Sequence, residues 1–103
     1  MGILSKLFGF GPKVDLGALI RNGAVIIDVR TPAEYASGNV TGSLNIPVDQ
    51  LKSKIGMLKK DKVIITCCAS GMRSASAKGL LKANGFADVH NGGSWQSLRK
   101  YTL

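Results

Sequence analysis

Two continuous apolar runs constrain this chain most. Ala24-Val-Ile-Ile-Asp28 and Val63-Ile-Ile-Thr-Cys67 are rich in β-branched residues and lack the alternation of a strand with one wet face. They predict strands covered on both sides. Weaker strand candidates lie at residues 42–46 and 87–90, and Val14-Asp15 is a candidate edge. Helical patterns fill the intervals. Residues 16–22 close on Gly23, and Thr31-Pro-Ala-Glu34 is a capping box with Thr31 as N-cap and Pro32 at N1. Val48, Leu51, Ile55 and Leu58 repeat at helical spacing, residues 74–84 are Ala-rich and stop at Gly85, and residues 94–101 suit a last helix. Strands alternating with helices predict an α/β domain with a mostly parallel sheet, whose ligands bind beyond the carboxyl ends of the strands. Asp28-Val-Arg30, Cys67-Cys68 and Asn91-Gly-Gly93 each follow a candidate strand and would meet on that rim.

A chain of 103 residues suits one core, expected over residues 13–103, with an N-terminal arm over residues 1–12. The arm carries Ile3, Leu4, Leu7 and Phe8 but no basic start and no small-residue cleavage site, so an arm packed on the domain is expected rather than a leader. Lys6 stands where a myristoylation motif wants Ser or Thr. No apolar run approaches the ~20 residues of a membrane span. The net charge of +8 favours anionic ligands or acidic partners, and no nucleic-acid motif accompanies it. The densest basic stretch, Lys52 to Lys62, reads as a solvated helix face and turn. Adjacent Cα atoms stand ~3.8 Å apart, short of the ~4.4–6.8 Å of an ordinary disulfide. Cys67 and Cys68, the only cysteines, therefore suit free thiols in a reducing, cytoplasmic setting.

The chemistry concentrates in Thr66-Cys-Cys-Ala-Ser-Gly-Met-Arg-Ser74, which leaves a strand and enters a helix. Gly71 permits a tight curl that turns successive N–H groups inward as an anion nest. The helix start and Arg73 add positive charge, so a cysteine at the mouth of the loop should be more acidic and nucleophilic than a free one. His90, the only histidine, is expected as a strand-end residue, and two cysteines with one histidine do not make a zinc site, so no metal or cofactor is expected.

At these residues the chain resembles the rhodanese family, the thiosulfate sulfurtransferases, whose Cys-x-x-Gly-x-Arg-Ser pattern is matched by Cys68, Gly71, Arg73 and Ser74. Asp28-Val-Arg30, Glu34-Tyr35, Gly42-Ser-Leu-Asn-Ile-Pro47, Asp61-Lys62, Gly85-Phe86 and Gly92-Gly93 with Trp95 match in order and spacing. Gly38-Asn39-Val40, Cys67 and Asn91 depart from residues common in the family. The resemblance implies a five-stranded, mostly parallel sheet flanked by helices on both faces. It also implies that Cys68 takes sulfur from a small anionic donor such as thiosulfate, becomes a persulfide, and passes the sulfur to a thiol, a protein or cyanide. In that scheme Ala69, Ser70, Gly71, Met72 and Arg73 surround the persulfide, and Asp28, Arg30 and Ser74 support the loop. Arg73 either binds the anion or ties the loop to Asp28 or Glu34. Cys67 to Arg73 also spells Cys-x5-Arg, as in cysteine-dependent phosphatases, so a phosphatase of related fold remains an alternative, as does a non-catalytic persulfide carrier or redox sensor.

Overall fold

The computed structural model describes residues 14–102. The expected arm over residues 1–12 and its Ile3, Leu4, Leu7 and Phe8 face lie outside the described residues. Among the described residues five α-helices and four strands follow one another: α1 (Leu16–Arg21), β1 (Val25–Asp28), α2 (Pro32–Ser37), β2 (Leu44–Asn45), α3 (Leu51–Lys54), β3 (Ile64–Cys68), α4 (Met72–Ala83), β4 (Val89–Ser94) and α5 (Trp95–Leu98). The strands form one parallel sheet in the order β2-β1-β3-β4. Among the described residues the sheet therefore has four strands where five were expected. Val14 and Asp15 add no edge, because Asp15 is committed to capping α1, its carboxylate accepting from Ala18 N–H at 3.0 Å.

The doubly covered strands behave as their composition requires. Successive side chains point to opposite faces. Ile27, Ile64 and Cys68 join Leu51, Ala77, Leu81 and Phe86 in one core, while Ile26, Ile65 and Cys67 join Val40 and Leu98 in the other. α3 and α4 thus cover one face, and α1 and α5 the other. The capping box of α2 is complete, with Thr31 Oγ1 accepting from Glu34 N–H and a Glu34 carboxylate oxygen accepting from Thr31 N–H.

Two elements differ from the sequence expectation. The single helix over residues 48–58 is broken into a 3-10 turn at Val48–Gln50, the short α3, and a second 3-10 turn at Ile55–Met57. Val48, Leu51, Ile55 and Leu58 still pack on the core, so burial keeps the periodicity while Gly56 weakens the helix. The strand expected at residues 87–90 instead runs Val89–Ser94 and takes in Asn91-Gly-Gly93, which looked like a loop. Ladder pairing with β3 outweighs the poor strand preference of glycine. Thr66 faces Asn91 and Cys68 faces Ser94, so two steps along β3 answer three along β4, a bulge beside Cys68. A Cβ at Gly92 would stand 2.8 Å from Ile65 Cγ2 and 2.9 Å from the Thr66 carbonyl oxygen. Gly92→Ala should therefore overpack this seam and cost about 1–3 kcal/mol, read as a lower urea midpoint with an unchanged m-value; an unchanged midpoint would show that the seam gives way freely.

Candidate active site

β3 delivers the two cysteines and its period of two separates them. Cys67 points into the core of Ile26, Val40, Ile65 and Leu98. Its thiol is pushed up to about 12, first by burial and then by the Asp28 charge. Cys68 points to the other face, at the base of the turn into α4. Gly71 makes that turn with φ 108°, a left-handed conformation that costs glycine little. The curl brings Gly71 N–H to 2.9 Å and Ser74 N–H to 3.4 Å from Cys68 Sγ, and Ser74 Oγ lies 3.4 Å away. Burial raises the Cys68 thiol. Hydrogen bonds from the Ser74 side chain and from the backbones of Ser74, Gly71 and Ser70 outweigh it, and the net shift is downward. One strand thus carries a thiol that is pushed up and a thiol that is held down side by side.

The sulfur itself sits deep, since Cys68 is only 1% exposed. Ala69, Ser70 and Met72 form the exposed lip, Met72 at 81%. Arg73 turns away from the sulfur into a two-pronged pair with Glu34, Nη1 to Oε1 at 2.6 Å and Nη2 to Oε2 at 2.9 Å. Hydrogen bonds from Arg73 and from the Thr31 backbone hold the Glu34 carboxyl at about 2. With its folded value depressed below the ordinary 4.5, this tie is fully present above about 4.5 and is lost as pH falls through about 2. It holds across the neutral range.

Asp28 and Arg30, 0% and 3% exposed, form a buried ion pair behind the loop. Arg30 Nη2 donates to Asp28 Oδ2 at 2.7 Å and to the Gly38 carbonyl at 2.6 Å, and Nη1 donates to the Glu34 carbonyl at 3.1 Å. The guanidinium carbon lies 4.4 Å from the centre of the Trp95 ring. Asn45 Nδ2 donates to the carbonyls of Asp28 and Arg30, closing the bend after β1. Neither residue of the pair reaches Cys68 Sγ; both hold the rim. His90 pairs with Asp88. Among the described residues no group of three or more His, Cys, Asp or Glu side chains gathers to hold a metal. The sequence singled out the cysteines, the loop, Asp28, Arg30 and Ser74, but assigned no role to Asn45 or Asn91. Asn91 Oδ1 meets Ser74 Oγ at 2.6 Å. No local pattern marks either asparagine for the site, because the contacts by which they reach it span 15 or more residues.

Comparison with known proteins agrees with this geometry. The model of the Rhodanese-like domain matches residues 13–99. The uncharacterized protein YqhL of Bacillus subtilis is 37% identical over 68 residues, 66% of this chain and 54% of that protein, so the chain spans about half the length of this relative. The thiosulfate sulfurtransferase PspE of Escherichia coli is 34% identical over 74 residues, 70% of this chain and 71% of PspE. The human single-domain sulfurtransferase TSTD1 superposes with a TM-score of 0.76 at 28% identity, covering 87% of this chain and 96% of that one.

Two outcomes are expected from this geometry. Limited iodoacetamide treatment at neutral pH should label Cys68 well before Cys67 in peptide mass maps; equal labelling would contradict the contrast between the two thiols. Arg30→Leu should leave Asp28 charged and unpartnered in the interior and cost about 3–5 kcal/mol in urea unfolding. A loss near zero would mean that water reaches Asp28.

Proposed function

Because the chain belongs to the Rhodanese-like domain family, we propose that it is a sulfurtransferase that carries sulfane sulfur as a persulfide on Cys68. The observation that carries this reading is the convergence of the Gly71 and Ser74 N–H groups on Cys68 Sγ at the start of α4. Amide donors and the helix terminus, equivalent to about half a positive charge, stabilise anionic sulfur there.

In the first step the Cys68 thiolate attacks the outer sulfur of thiosulfate. An S–S bond forms to Cys68, the bond to the sulfonate sulfur breaks, and sulfite leaves with the electron pair. In the second step an acceptor thiolate or cyanide attacks the outer sulfur of the persulfide, and Cys68 leaves as thiolate. This is double displacement through a covalent intermediate. No proton need be abstracted within either step, so no general base is required once Cys68 is ionised. The recessed sulfur admits a donor end-on, by a terminal sulfur atom, which suits thiosulfate and small or protein persulfides alike. Arg73 is engaged by Glu34, so the negative charge at the sulfur is met chiefly by backbone N–H groups.

The phosphatase alternative would need Cys67 as nucleophile. Its burial in the opposite core and its raised thiol value weigh against it. A carrier without turnover shares the persulfide and differs only in its rate of release to acceptors.

Intact-protein mass spectrometry after brief exposure to thiosulfate should show a gain of one sulfur atom that cyanide removes. Cys67→Ser should keep the gain and Cys68→Ser should abolish it. Sulfur transfer that survives in Cys68→Ser would sink this reading, and aryl phosphate hydrolysis lost in Cys67→Ser would favour the phosphatase.

A further inference from the structure

Asn91 stands exposed in β4, and its side chain reaches across to the loop that holds Cys68. The backbone fixes which way its amide points. Gly93 N–H can only donate, so the atom it meets at 2.9 Å is Oδ1. The Gly71 carbonyl can only accept, so the atom it meets at 3.2 Å is Nδ2. Oδ1 in turn can only accept, and it lies 2.6 Å from Ser74 Oγ. Ser74 is therefore the donor in that contact.

A serine hydroxyl has one proton. While Asn91 holds it, the 3.4 Å contact between Ser74 Oγ and Cys68 Sγ runs from the neutral thiol to the oxygen; the hydroxyl lowers the Cys68 thiol only by turning that proton to the thiolate and giving up Asn91. A neutral thiol satisfies this chain of donors. A thiolate does not, because it has no proton to give and competes for the one on Ser74. The Gly71 carbonyl, 3.0 Å from Ser74 Oγ, is the other acceptor within reach, and its two lone pairs already take Ala75 N–H at 3.0 Å and Asn91 Nδ2 at 3.2 Å.

We propose that Asn91 is a positioning residue that holds the Ser74 proton away from Cys68 and so favours the neutral thiol over the thiolate in the resting protein. The proposal rests on Cys68 being the reactive sulfur. It has a consequence for the two-step reaction. In a persulfide anion the charge sits on the outer sulfur, so the Ser74 proton is needed at Cys68 Sγ in the free thiolate and far less in the loaded form. Asn91 thereby gives up some thiolate fraction in exchange for a thiolate that is less stabilised and more nucleophilic, since nucleophilicity rises with thiol basicity.

The charged groups around Cys68 are Arg73 on α4 with its Glu34 on α2, and Asp28 and Arg30 after β1. His90, next to Asn91 on β4, is paired with Asp88. Substituting Asn91 changes the charge of none of them. Asn91→Ala and Asn91→Val remove the Oδ1 acceptor together with the Nδ2 donor to the Gly71 carbonyl, which leaves that neutral carbonyl and the charged sulfur to compete for the Ser74 proton, and the charged acceptor is the stronger; valine also suits a strand. The readout is the pH dependence of the iodoacetamide alkylation rate of Cys68, followed on its peptide by mass spectrometry with no sulfur donor present. Both variants should lower the apparent pKa of Cys68 by roughly one unit, the worth of one hydrogen bond to a charged sulfur. Ser74→Ala should raise it. In the Ser74→Ala background, substituting Asn91 should do nothing, because its action passes through that hydroxyl. An unchanged or raised pKa in both single variants would overturn the proposal, as would an equal fall in the Ser74→Ala background. Persulfide loading from thiosulfate is measured separately, so failure of this assignment is distinguishable from failure of Cys68 as the sulfur carrier.

Discussion

The Asp28–Arg30 ion pair is the joint on which the rim of this sheet turns. A carboxylate and a guanidinium so deeply buried are tolerable only when both are hydrogen-bonded to capacity. Arg30 meets that demand by gathering neighbours: the carbonyls of Glu34 within α2 and of Gly38 at its C-cap, and the face of Trp95 at the start of α5. The pair therefore sets where α2 lies. α2 presents Glu34, and Glu34 grips Arg73 in the first turn of α4. The start of α4 in turn carries the N–H groups that meet Cys68. A buried charge at the end of β1 thus positions amide donors at the end of β3, through one helix and one exposed ion pair.

That arrangement explains a division of labour among the charged groups. The chain is strongly basic, with 14 Lys and Arg against 6 Asp and Glu, and the long-range field of such a surface draws anions in. At the sulfur itself the hydrogen-bonding groups are the Gly71 and Ser74 N–H groups and the Ser74 hydroxyl, while Arg73 and Arg30 hold the frame. Backbone donors fixed by a tight turn need no reorganisation when negative charge develops on the sulfur they meet.

Placing two cysteines side by side separates their chemistry by strand geometry alone. Cys67 and Cys68 differ by one step, hence by one face, hence by everything their thiols touch. Burial raises both, and at Cys68 alone the hydrogen bonds of Ser74, Gly71 and Ser70 outweigh it.

The local part of this structure was legible in the amino-acid order. The apolar runs became β1 and β3, Thr31 and Glu34 closed their capping box, and Cys68 through Ser74 made the turn that Gly71 permits, because each depends on backbone preferences within a few residues. The grip of Glu34 on Arg73 spans 39 residues, and that of Asn91 on Ser74 spans 17. Those partners, the bulge between Asn91 and Ser94 in β4, and the breaking of the helix over residues 48–58 were decided by tertiary structure. Sheet register and core packing bring such groups within reach, and neither is encoded in the few residues around any one of them.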